Sequence, residues 1–199
     1  SAEDGTVSLT DLPGDTQLLS TITKEDYVPV QVTLEALTDD LEWTAIAPSE
    51  PALIAAATTA GLSVEDGKGH VSVFVINAAN DFLDGFAIEL NGADGESVAD
   101  PAYFGDLLIN PDLTATSRNG IGGFFNIEPG AYTINVTKDG VLCTTGGFSW
   151  GNGGGYNVPV AADTFTEVAV VCIDDPSPLF EDPSETIEAP ACGDDIEVN

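Results

Sequence analysis

Apolar residues in this chain recur with period two, and that alternation, cut into short runs by glycine, proline and asparagine, restricts the fold to packed β-sheets. Val71-Ser72-Val73-Phe74-Val75-Ile76 is nearly continuous in apolar residues, the pattern of a strand buried on both faces. Phe86-Ala87-Ile88-Glu89-Leu90 alternates as a half-exposed strand does. The two runs lead into the turn formers Asn80-Asp81 and Asn91-Gly92. Tyr132, Ile134 and Val136 alternate with Thr133, Asn135 and Thr137, and Val168, Val170 and Cys172 alternate with Ala169 and Val171. About seven short strands of this kind predict an all-β, antiparallel, Ig-like sandwich. A single helix is expected near 50–60: Ser49-Glu50-Pro51 supplies a cap, an acidic first turn and an early proline, and Gly61 ends an alanine-rich run.

Charge then removes whole classes of function. Against 34 Asp and Glu the chain has four Lys and Arg, a formal net charge of −30. Phosphate binding needs clustered cations, and Lys24, Lys68, Arg118 and Lys138 are scattered, so no nucleic-acid partner is expected. No apolar run is long enough for a membrane span. So large a carboxylate excess self-repels unless salt or divalent ions screen it. Enzymatic chemistry is not expected either. His70 is the lone histidine, with no nucleophile elbow near it, and one histidine cannot build a zinc peptidase centre. No cofactor is expected. Calcium is a candidate at Asp81-Phe82-Leu83-Asp84-Gly85 and Asp94-Gly95-Glu96, although neither segment has the alternating ligand spacing of a calcium loop.

Three cysteines and no methionine suit an oxidising, extracellular setting. Cys143 and Cys172 each end a β-favouring run, so a bridge between adjacent antiparallel strands is expected there. Cys192 is left in the acidic tail, to be free, to pair with another chain or to take Cys172 instead.

Two segments are candidate binding loops. Residues 92–112 are long for a connection and carry Tyr103 and Phe104, and a glycine run at 151–155 is flanked by Trp150 and Tyr156. A flexible hairpin tip beside two core aromatics is the plainer account of the second. After Ile173 the chain turns acidic and proline-rich, with Leu179-Phe180 and Ile187 as isolated apolar points.

An internal repeat carries the most specific signal. Residues 4–12 precede Pro13-Gly14, and residues 119–127 precede Pro129-Gly130 after Glu128, with similar strands and lysine-acid turns following each. The second copy contains Thr116-Ser117-Arg118-Asn119-Gly120 and Phe125-Asn126-Ile127-Glu128-Pro129-Gly130-Ala131-Tyr132-Thr133, with Asp84-Gly85 opening an earlier strand. These motifs resemble the carboxypeptidase regulatory-like, or prealbumin-like, β-sandwich domains of bacterial secreted and surface proteins. The resemblance covers about 70–173 well and about 4–46 only as the second half of a domain. It implies a prealbumin-like sandwich that spaces or attaches rather than catalyses.

The expected organisation is a partial N-terminal sandwich at 1–48, a helical linker at 49–69, a complete sandwich at 70–173 and an acidic tail at 174–199. Three arrangements account for the partial copy: loss of upstream strands, packing of its strands on the second domain, or completion by another subunit. Its strands around Val7, Leu9, Leu18 and Ile22 have an apolar face that a lone hairpin cannot bury, which marks them as candidate assembly strands. The functional expectation is a secreted structural or adhesive cell-surface protein that self-associates, as a filament subunit using strand complementation. The alternative is a surface module whose loops bind a glycan or calcium.

Overall fold

A computed structural model of the chain describes residues 18–34, 45–106, 108–148 and 154–173. Twelve strands and one helix follow one another: β1 (Leu18–Ile22), β2 (Val30–Leu34), α1 (Glu50–Thr59), β3 (Gly69–Ile76), β4 (Ala87–Asn91), β5 (Ser97–Ala99), β6 (Ala102–Tyr103), β7 (Ile121–Ile127), β8 (Gly130–Thr137), β9 (Leu142–Cys143), β10 (Gly146–Gly147), β11 (Tyr156–Val160) and β12 (Phe165–Ile173). They form an all-β sandwich. One sheet has the order β1-β2-β12-β3-β7-β6, with β9 also on β12, and the other runs β10-β11-β8-β4-β5.

Alternation sets the core. Val71, Val73 and Val75 of β3 and Val168, Val170 and Cys172 of β12 face Ile88 and Leu90 of β4, Ile134 of β8, and Tyr156, Val158 and Val160 of β11, and Phe86, Tyr103, Phe124 and Ile127 join this buried core. At Gly122 the sheets come so close that an added Cβ would collide with the Ile88 side chain.

The sheets are mixed rather than purely antiparallel. β12 runs parallel to β3, with Val168 opposite Val73, and parallel to β2, with Glu167 opposite Val32. Parallel neighbours need long crossovers, and the whole of 77–164 separates β3 from β12. β3 itself runs parallel to β12 and antiparallel to β7, and its nearly continuous apolar run fits a strand buried on both faces over most of its length.

The residues that carried the family resemblance hold the loops. Thr116, almost fully buried, accepts the Phe86 N–H through Oγ1 at 3.1 Å and donates to the Leu83 carbonyl at 3.0 Å, fastening the start of β4. Gly120 has φ +64°, and its carbonyl accepts from Val75 N at 2.8 Å. Between β7 and β8 the Glu128-Pro129 turn is closed by Tyr132, whose hydroxyl donates to the Glu128 carbonyl at 2.8 Å.

Residues 18–34 form an antiparallel hairpin that lies alongside β12, so these strands extend the seven-stranded sheet. Val7, Leu9, the tail beyond Ile173 with Cys192, and the Pro13-Gly14 repeat lie outside the described residues.

Candidate functional site

The edge and outer face of the seven-stranded sheet form the candidate site. β1 is its terminal strand, and among the described residues only β2 pairs with it. The cross-strand register sorts the hairpin's side chains. Leu18, Ser20 and Ile22 share a face with Val30 and Val32, while Leu19 and Thr21 share the other with Gln31 and Thr33. Leu18 and Ile22 are half-buried, and Leu19 and Thr21 are exposed. An apolar side chain and a row of backbone donors and acceptors that no other described strand pairs thus sit at the same edge.

The face bearing Val30 and Val32 points away from the sandwich core. On β12 it carries Phe165 and Glu167, and on β3 His70 and Ser72, because each pair stands opposite in the parallel register. Val28, Val30, Val32, His70, Ser72 and Glu167 are all buried there, so a second layer covers the sheet. Residues 45–66 supply it. The Ile46 N–H donates to Glu167 Oε1 at 2.9 Å, the Pro48 carbonyl accepts from Val28 N at 3.0 Å, and Asn126 holds Glu65 N and the Ser63 carbonyl through its side-chain amide. α1, within this segment, buries Leu53 and Ala57. Its start and end follow the Ser49-Pro51 and Gly61 signals, although Ser49 makes no side-chain cap bond.

Glu167 is the residue that sequence reasoning missed. It is 1% exposed, and among the described residues its Oε2 has no hydrogen-bond partner. Burial, opposed weakly by the Ile46 bond, pushes its carboxyl up to about 7. His70, on the same face, is pushed below its ordinary value by burial, and its Nδ1 accepts the Asn126 N–H at 3.4 Å. A polar residue inside Thr166-Glu167-Val168 looks solvent-facing in a two-layer sandwich, and among the described residues it is the segment 45–66 that reaches it, through the Ile46 N–H.

The candidate loop aromatics separate from one another. Tyr103 is 3% exposed, and its Oη accepts the buried Ile88 N–H at 3.0 Å, so this residue packs inside the sandwich. Phe104 is half-buried and bridges Ile109 across the loop. Tyr156 is buried in the core, with its hydroxyl 3.3 Å from Thr33 Oγ1. Trp150 lies outside the described residues. An open cleft of about 510 Å³ runs along Gly105, Asp106 and Leu108 to Pro111, and a second of about 310 Å³ lies on the outer face of the five-stranded sheet beside Glu89, Asn135 and Thr137.

Cys143 and Cys172 stand opposite each other on β9 and β12 and are joined by a disulfide. Among the described residues no three His, Cys, Asp or Glu side chains converge as metal ligands. At the first candidate calcium segment, Asp81 instead closes a local turn with Asn77. The four cations are dispersed: Lys24 lies over Tyr27, Lys68 pairs with Glu128, Arg118 pairs with Asp106, and Lys138 donates to the Asp84 carbonyl. No described helix is long and apolar enough to cross a membrane.

No family model and no curated protein matches this sequence. Solved structures with some likeness include a streptococcal ancillary pilin, 16% identical over 76% of this chain and 43% of that one, with a TM-score of 0.37. The major pilin subunit BcpA of Bacillus cereus is 14% identical over 82% of this chain and 40% of its own, with a TM-score of 0.35. The Bacillus anthracis TIE protein is 14% identical over 80% of this chain and 27% of its own, with a TM-score of 0.34. The chain therefore spans less than half the length of these structures.

Proposed function

We propose that this chain is a structural or adhesive protein of the cell surface or extracellular space, which works by associating with further copies of itself and not by catalysis. The observation that carries the reading is the open edge at β1, a five-residue strand paired on one side among the described residues, with Leu19 exposed on it. An unprotected sheet edge is a template for another strand, and added strands contribute main-chain hydrogen bonds along their whole length. In its finer form the proposal is a filament subunit, in which a strand from one copy completes the sheet of the next.

Charge sets how such an assembly responds to its medium. At −30 per chain, copies repel one another over the screening length, which is about 10 Å at 0.1 M salt and far longer in dilute buffer. Association should strengthen with salt and with divalent cations. Sedimentation of the full chain at high and low ionic strength, followed by negative-stain imaging, tests the reading. Salt-promoted oligomers that Thr21→Pro weakens at least tenfold are the expected result. A chain monomeric under every condition would sink it.

The glycan- or calcium-binding alternative now rests on the clefts, since Tyr103 and Tyr156 are buried. Its distinguishing outcome is a monomer whose melting temperature rises with added glycan or calcium.

A further inference from the structure

Glu167 serves neither the sandwich core nor the proposed edge, yet it occupies the centre of the outer face of the seven-stranded sheet. Val32 stands opposite it on one side and Ser72 on the other, and Ser20 continues the same row on β1. None of these neighbours carries a positive charge. Among the described residues, the one polar contact of its carboxyl is the Ile46 N–H, which belongs to the covering segment 45–66. A single backbone bond thus ties the cover to a carboxyl group whose second oxygen is buried with no partner among the described residues. Burying an ionised carboxylate in such a place is costly, and the cost disappears either on protonation or on lifting the cover.

We propose that Glu167 is a proton-operated latch, closing residues 45–66 over the outer face of the sheet when protonated and releasing them when ionised. Release would uncover Val30 and Val32 and loosen β2, the strand through which the β1–β2 hairpin pairs with β12. The latch is independent of the assembly reading, because it would operate in a monomer.

Among the described residues, other charged groups near this face do not account for it. β1, β2 and β7 contribute none, and β3 contributes only His70, which sits one row away opposite Phe165 and which burial holds toward the neutral form. Across the hairpin turn Lys24, Glu25 and Asp26 are exposed, as are Glu50, Glu65 and Asp66 on the covering segment, while Lys68 pairs with Glu128. Asp163, just before β12, is exposed and accepts from Gly67 N.

The direction follows from linkage. The closed form holds the Glu167 proton up to about 7, and an open form returns the carboxyl to its ordinary value of 4.5. Closed protein therefore binds the proton more tightly, and raising the pH between those values favours opening. Across the full interval the closed-to-open ratio falls on the order of a few hundredfold and then levels off.

Carbon-detected NMR of the labelled full chain reads this directly. The Glu167 carboxyl carbon should titrate with a midpoint near neutrality, and the Ile46 amide should move with the same midpoint. Hydrogen exchange, corrected for intrinsic rates, should show protection at Ile46, Val30 and Val32 falling about a hundredfold from about pH 5 to about pH 8. Glu167→Gln, which keeps an acceptor for Ile46, should make that protection independent of pH. A Glu167 midpoint in the ordinary carboxylate range would overturn the proposal, as would flat protection in the wild-type chain or an unchanged slope in Glu167→Gln. Should that variant fail to fold, the wild-type midpoint and exchange profile remain decisive.

Discussion

Replacing Tyr103 with phenylalanine separates a structural aromatic from a ligand-binding one. The ring is 3% exposed, and the Ile88 N–H donates to its hydroxyl at 3.0 Å inside the sandwich. The substitution keeps the ring and its packing, removes one oxygen, and leaves a backbone N–H in an apolar core without an acceptor. A buried donor stripped of its partner costs about 1–3 kcal/mol, more than the net gain of an ordinary hydrogen bond, because water cannot replace what was lost. A value near 2 kcal/mol, the middle of that range, is expected, since Ile88 is fully buried. With a urea slope of about 2 kcal/mol per molar, the unfolding midpoint should fall by about 1 M with the slope unchanged. Equilibrium urea unfolding followed by fluorescence measures it. A midpoint shift under about 0.2 M would show that the Ile88 N–H finds another acceptor and that the core account of Tyr103 is wrong.

Reduction of the Cys143–Cys172 bridge, which links positions separated by 29 residues, should cost about 3–4 kcal/mol in the chain-entropy treatment. Denaturant unfolding with and without reductant checks it, and equal midpoints would refute it. Thr116→Val conserves shape but removes both the acceptor for Phe86 N and the donor to the Leu83 carbonyl, so a loss of about 1–3 kcal/mol is expected in the same assay. Wild-type stability in that variant would mean the loop before β4 does not depend on this hydroxyl.

Much of the architecture is legible because alternation records burial. β3, β4, β8 and β12 fall where Val71, Ile88, Ile134 and Val170 set the period, and the helix begins and ends at its sequence signals. Pairing partners are another matter. Period two states that a residue faces inward but not which strand lies beside it, so the parallel β2–β12–β3 arrangement has no signature in any one of those segments. The same limit hid Glu167, whose burial depends on a segment more than a hundred residues earlier in the chain. The burial of Tyr103 has no mark in the sequence, because an aromatic beside proline and glycine looks the same whether it lines a loop or plugs a core. The bridge between Cys143 and Cys172 was readable because both end strands.

The position of β12 has a consequence for how the protein is made. It lies between β2 and β3, yet it follows every other described strand in the chain. As the chain emerges, β2 and β3 have no mutual contact to make and must wait, with apolar flanks and unpaired edges, for a segment synthesised about a hundred residues later. Such long-range closure is slow, since loop entropy is lost before any sheet contact compensates it. Nascent chains short of β12 should therefore be held open and aggregation-prone, with the fold completed in a single late step.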